Sequence, residues 1–160
     1  MSARKDNRHI KREVLAEKAR QYCAYRERCT HEVEEKLKAL GADRATAGAL
    51  ITRLQTEGFI DNKRFATVFA RGKFQNNRWG KVKIRAALLA RRIPGHIIKE
   101  ALEALDDSDY MESLQTLVEK KINELKTKNK ENIRGKTAAY CIQKGYEPAL
   151  VYETVNNEAL

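Results

Sequence analysis

Leu37-Lys38-Ala39-Leu40-Gly41-Ala42-Asp43, residues 37–43, decides the fold, because the chain writes this pattern twice more. Leu88-Leu89-Ala90-Arg91-Arg92-Ile93-Pro94 has the same order: an apolar residue, a stop four positions on, an apolar residue, then a helix start. Cys141-Ile142-Gln143-Lys144-Gly145-Tyr146-Glu147 has it again. Leu37 and Leu88 are 51 residues apart, and Leu88 and Cys141 are 53 apart. A near-constant period of this size marks a repeat architecture. The expected unit is three helices, used three times over residues 13–60, 61–106 and 107–157. One such unit exposes too much apolar surface to stand alone, so the three should pack into an elongated, curved all-α array.

Periodicity supports helices along most of the chain. Leu15, Ala19, Tyr22 and Arg26 follow i, i+4, i+7, i+11, with the Arg26 stem snorkelling at the end. Phe65, Val68, Phe69 and Gly72 give a second stripe, and Leu114, Leu117, Val118, Ile122 and Leu125 a third, expected to lie on the longest helix. Gly41, Gly58 and Gly145 stand where a left-handed residue ends a helix. Asp43, Asp61 and Asp107 suit N-caps, and Pro94 and Pro148 suit first turns. Residues 126–132 read as a loop and residues 1–12 as a mobile basic N-terminus. No alternating segment is long enough for a strand.

Charge is segregated. Residues 62–99 hold eleven Lys and Arg and no Asp or Glu, whereas residues 100–119 hold seven acids and no base. A basic run interleaved with Phe65, Phe69, Phe74 and Trp79 points to a polyanion-facing surface; the plain alternative is a solvated face of a basic protein. Arg64, Arg71 and Arg78 recur at intervals of seven, and Lys81, Arg85 and Arg92 form a second stripe beyond Gly80. These six, with Lys73, Lys83 and Arg91, are the candidate binding residues. If the helices turn back at Gly80, the stripes line one groove. Ile84 and Leu88 are the core candidates of that second helix, with Val82 and Leu89 on another side.

Composition narrows the class. The 160 residues carry 32 Lys and Arg against 22 Asp and Glu, a net +10, which suits one compact domain or a short array. No apolar run approaches the roughly 20 residues of a membrane helix, and Met1 to Arg12 does not read as a secretory signal. Three cysteines, Cys23, Cys29 and Cys141, form no disulfide framework, so the expectation is a cytoplasmic protein with reduced thiols.

No motif announces catalysis, a cofactor or a metal. Arg134-Gly135-Lys136-Thr137 ends like a phosphate-binding loop, but Lys130 stands where its first glycine belongs. Cys23, Cys29 and His31 match no zinc spacing and lack a fourth ligand. Glu34 and Glu35 are consecutive on a helix and point apart. Residues 37–60 also read as the start of a winged helix-turn-helix, but the chain continues into a capped helix where the β-hairpin wing should come. The would-be recognition helix 44–57 has only Arg44 and Arg53 as bases.

Gly58-Phe59-Ile60-Asp61 followed by Phe65-Ala66, then Gly80, Ile84, Leu88 and Ile93, resembles the central signature of the RecX regulatory proteins. Arg26, Cys29, Glu32-Val33, Lys36-Leu37 and Gly41 are similar to that family's first repeat, and Lys144-Gly145-Tyr146 with Leu150-Val151 to its third. The resemblance runs from residue 13 to about 157, and it implies three three-helix repeats and no enzymatic activity. It implies a monomeric regulator of the recombinase RecA that binds the RecA filament on single-stranded DNA, with the single strand itself as a further expected partner. Such regulators suppress RecA's ATPase, strand-exchange and coprotease activities in DNA repair. Two positions depart from the family. Cys29 replaces a capping serine, so Thr30 is expected to take the cap, and Trp79-Gly80-Lys81 replaces a glycine-proline, with Trp79 expected in the core. A general DNA- or RNA-binding module without a protein target is the alternative, and a winged-helix regulator a weaker one.

Overall fold

The computed structural model describes residues 2–160, with side chains from Ile10 onward, so part of the expected mobile stretch 1–12 lies outside the described residues. Nine helices appear among the described residues: α1 (Ser2–Tyr25), α2 (Thr30–Ala39), α3 (Arg44–Thr56), α4 (Asn62–Asn77), α5 (Lys81–Ala90), α6 (Gly95–Glu103), α7 (Asp107–Thr127), α8 (Ile133–Gln143) and α9 (Pro148–Asn156). No strand occurs among those residues, so the β-hairpin that a winged helix requires is missing after Ile60. They form tandem three-helix domains, with α1, α2 and α3 mutually packed, α5 against α6, and α7, α8 and α9 mutually packed.

The repeated motif is a backbone motif. Gly41, Gly58 and Gly145 have φ of 91°, 82° and 101°. The Ala42 N–H reaches back to the Leu37 carbonyl at 3.0 Å, and the Tyr146 N–H to that of Cys141 at 3.2 Å, closing the helix ends as Schellman turns. Arg92, the middle-repeat counterpart, is left-handed too at φ 57°. Leu37, Leu88 and Cys141 are all fully buried.

The helix starts follow the sequence with small shifts. Asp43 accepts from the Thr46 N–H at 2.7 Å and Asp61 from the Arg64 N–H at 3.0 Å. The N-cap of α7 is Asp106 rather than Asp107, accepting from the Asp109 N–H at 2.9 Å. Pro148 occupies the first turn of α9, but Pro94 is the N-cap of α6, one place outside the helix. Thr30 does not cap α2. Cys29 keeps that position, with Glu32 closing back on its N–H at 3.3 Å, while the Thr30 N–H and hydroxyl both bond Asn62.

The chain divides into two compact units: Met1–Val68 with Arg91–Ile93, and Phe69–Ala90 with Pro94–Leu160. In the first, Leu15, Ala16 and Ala19 of α1 pack with Val33, Leu37, Leu50, Leu54 and Ile60. Helix α1 ends at Tyr25, so Arg26 lies beyond it and pairs with Glu32 at 2.8 Å. The buried arginine is Arg28, with its guanidinium 3.8 Å from the Tyr22 ring centroid and its Nε donating to the Tyr22 carbonyl at 3.0 Å. In the second unit, Phe74, Tyr110 and Tyr146 form a ring stack with centroids 5.8 and 5.0 Å apart. Val68 is exposed, and α4 buries Phe65, Ala66, Ala70 and Phe74 instead.

Candidate nucleic-acid interface

The acid-free run 62–99 falls on α4, α5, the start of α6 and the turns between them. Helix geometry would place bases seven apart on one face, but only part of each expected stripe survives. Arg64, in the first turn of α4, donates to Glu27 at 2.7 Å and to the Gly58 carbonyl at 3.0 Å, so its charge is neutralised within the first unit. Arg71 is exposed and has no ion pair among the described residues. Helix α4 stops at Asn77, which leaves Arg78 off the stripe, left-handed at φ 55°.

The second stripe divides in the same way. Lys81 stands 4.8 Å from the Tyr110 ring centroid and 3.9 Å from the Asp107 carboxylate. Its backbone N–H donates to the Tyr110 hydroxyl at 3.0 Å, and that hydroxyl donates to Glu147. Burial, and after it the Glu147 contact, pushes the Tyr110 hydroxyl well above the ordinary tyrosine range, so Lys81 heads a structural network. Arg85 is exposed in mid-α5, and Arg92 is exposed at the left-handed end of that helix; neither has an ion pair among the described residues. Arg91 is half-buried, its carbonyl accepting from the Cys29 Sγ at 3.9 Å.

As expected, Ile84 and Leu88 are fully buried. Val82 and Leu89 are about half exposed, at 49% and 54%, and with Arg85 and Ala86 they occupy i, i+3, i+4 and i+7. The solvent face of α5 is therefore apolar and cationic together.

The turn from α4 to α5 holds a grouping that spacing alone did not reveal. Trp79 is half-buried rather than in the core. The Lys73 and Lys83 ammoniums lie 4.8 and 4.5 Å from its indole centroid. Gly80 and Val82 then donate to the carbonyls of Lys144 and Gly145, each at 2.9 Å, and the Lys144 ammonium caps the Asn77 carbonyl at 2.8 Å. The sequence signal for left-handed Arg92 was the repeat register, which sets it against Gly41 and Gly145.

The acidic block meets the basic run at surface pairs. Asp107 meets Lys81 and Glu103 meets Lys99, each at 3.9 Å, while Asp109 and Glu112 are exposed. Among the described residues no cluster of three or more His, Cys, Asp or Glu could hold a metal ion. Cys29 and Cys141 are buried and Cys23 half-buried, and burial pushes all three thiols up, Cys141 to about 11.

Comparison with known proteins agrees with this geometry. Residues 61–102 match the model of the second three-helix domain of RecX, and residues 107–155 that of the third. Regulatory protein RecX of Clostridium botulinum (strain Eklund 17B / Type B) is 28% identical over 126 residues, 78% of this chain and 58% of that protein. The chain thus spans a little over half the length of that relative. Regulatory protein RecX of Amycolatopsis mediterranei (strain U-32) is 21% identical over 88% of this chain and 83% of its own length. The crystal structure of RecX from Lactobacillus salivarius superposes with a TM-score of 0.83, covering 92% of this chain and 96% of that one at 23% identity. Two consecutive domain models over more than half the chain, with the same helical architecture around them, place this protein in the RecX family of regulatory proteins.

Proposed function

We propose that this protein binds the recombinase RecA as its filament on single-stranded DNA. There it lowers ATP hydrolysis, strand exchange and coprotease activity, acting as a monomer with no active site of its own. The observation that carries this reading is the chemistry of the middle repeat. Among the described residues Arg71, Arg78, Arg85 and Arg92 have no ion pair, and they lie in a stretch free of acids, which suits phosphate and acidic protein surface alike. A nucleic-acid binder without a protein target accounts for the arginines, while half-exposed Val82 and Leu89 beside Arg85 offer apolar area that suits a protein surface. A protein partner covers both.

The test is DNA-dependent ATP hydrolysis by RecA with and without this protein. Turnover should fall at or below stoichiometric amounts, and no change at several-fold excess rejects the proposal.

A further inference from the structure

Arg78 occupies a position where glycine would be easier. It is the left-handed residue closing α4, at φ 55°, in the place that Gly41, Gly58 and Gly145 take at other helix ends. A side chain there strains the backbone in a way that glycine avoids. Among the described residues the Arg78 guanidinium has no ion pair to offset that strain. The next residue, Trp79, donates its N–H to the Lys73 carbonyl at 3.1 Å, tying the indole to the last turn of α4. Lys73 and Lys83 lie over that indole at 4.8 and 4.5 Å, and neither has an acidic partner among the described residues. Lys73 also approaches the Phe69 ring at 5.5 Å. Three cations are thus gathered at one turn, held by aromatic faces and a strained backbone, with no ion pair among the described residues to offset their repulsion.

We propose that this turn is a phosphodiester-binding site for a single strand of nucleic acid. The Arg78 fork takes a phosphate in bidentate fashion. Lys73 and Lys83, steered by the Trp79 ring, take flanking phosphates. Half-exposure leaves part of the indole open to an unstacked base, which a duplex would withhold. The strain at Arg78 is then kept because the guanidinium works on a ligand. This inference rests on the reading that the protein acts on a nucleoprotein filament, and it assigns to it a direct contact with the strand.

The experiment uses the full chain and a labelled oligothymidylate of roughly 20 nucleotides. Replacing Arg78→Gly should raise the melting temperature by about 2–4 °C through relief of strain. The same variant should weaken binding about fivefold in 0.1 M salt and flatten the slope of log affinity against log salt by about 0.7. Arg78→Lys keeps charge and strain, so it should bind nearer to the parent and gain no stability. Trp79, the sole tryptophan, should change its emission on binding as phosphates draw the ammoniums off its face. Lys73→Gln with Lys83→Gln should diminish that change. Unchanged oligonucleotide affinity in Arg78→Gly, or a loss of stability on that substitution, overturns the inference. A parent chain that binds the oligonucleotide but leaves RecA turnover untouched rejects the proposed function alone; one that lowers turnover while Arg78→Gly still binds the strand fully rejects this site alone.

Discussion

At the scale of single residues, Glu57 gathers two cations on one carboxylate, Arg20 at 2.9 Å and Arg53 at 3.0 Å. The Arg20 hydrogen bond, and after it that of Arg53, holds the Glu57 carboxyl below its ordinary range. The folded value lies below the unfolded one, so the pairing stabilises above about pH 4.3 and is lost as pH falls through the folded value. Glu57→Gln should therefore melt with a shallower dependence on pH between about 6 and 3 than the parent. Equal slopes would show that the pair contributes nothing. Some residues could be read ahead of the structure and others could not. Gly41, Gly58 and Gly145 were legible because glycine is the default left-handed residue, whereas Arg78 adopts the same conformation with no local signal. Arg28 was missed because the helical period was carried one residue too far, to Arg26, past the point where the backbone leaves α1 at Tyr25.

At the scale of elements, the helices were legible and their buried faces less so. Bulky Val68 drew the reading of α4, but that side is exposed and the small Ala66 and Ala70 are buried. Alanines give a weak periodic signal, yet they pack wherever another element comes close. The same close packing makes Gly80 critical. A Cβ there would lie 2.3 Å from the Gly145 backbone, which cannot move aside as a flexible side chain would. Gly80→Ala should destabilise the fold by about 1–3 kcal/mol in denaturant melts. Gly48, inside α3, has nothing within 4 Å of such a Cβ. Gly48→Ala should stabilise by about 0.5–1 kcal/mol, as helix propensity predicts. Matching effects at both sites would contradict the close backbone approach.

At the scale of the whole molecule, three repeats of three helices were written in the period of about fifty residues, while the division into two compact units was not. Helix α4 contributes Phe65 to one unit and Phe74 to the other, and no repeat boundary marks that sharing. The candidate surface was legible as charge but not as geometry, because sequence does not say which bases are neutralised: among the described residues Arg64 and Lys81 are paired, and Arg71 and Arg85 are not. Arg71→Glu with Arg85→Glu should weaken filament binding while helicity is retained. Lys18→Glu with Lys120→Glu, exposed positions outside the run, supplies the same charge change and should weaken it less. Equal losses would mean that net charge alone matters. The Phe74, Tyr110 and Tyr146 stack has a consequence in strong base. Burial raises both tyrosine hydroxyls, so the stability they confer is complete below the unfolded value of about 10 and is lost as pH climbs through the folded ones. Followed by ultraviolet absorbance, these two phenolates should appear together with the loss of helical circular dichroism, not ahead of it. Hydroxide finds no purchase on the paired rings until the helices around them have parted, so their spectrum in alkali is a clock for unfolding itself.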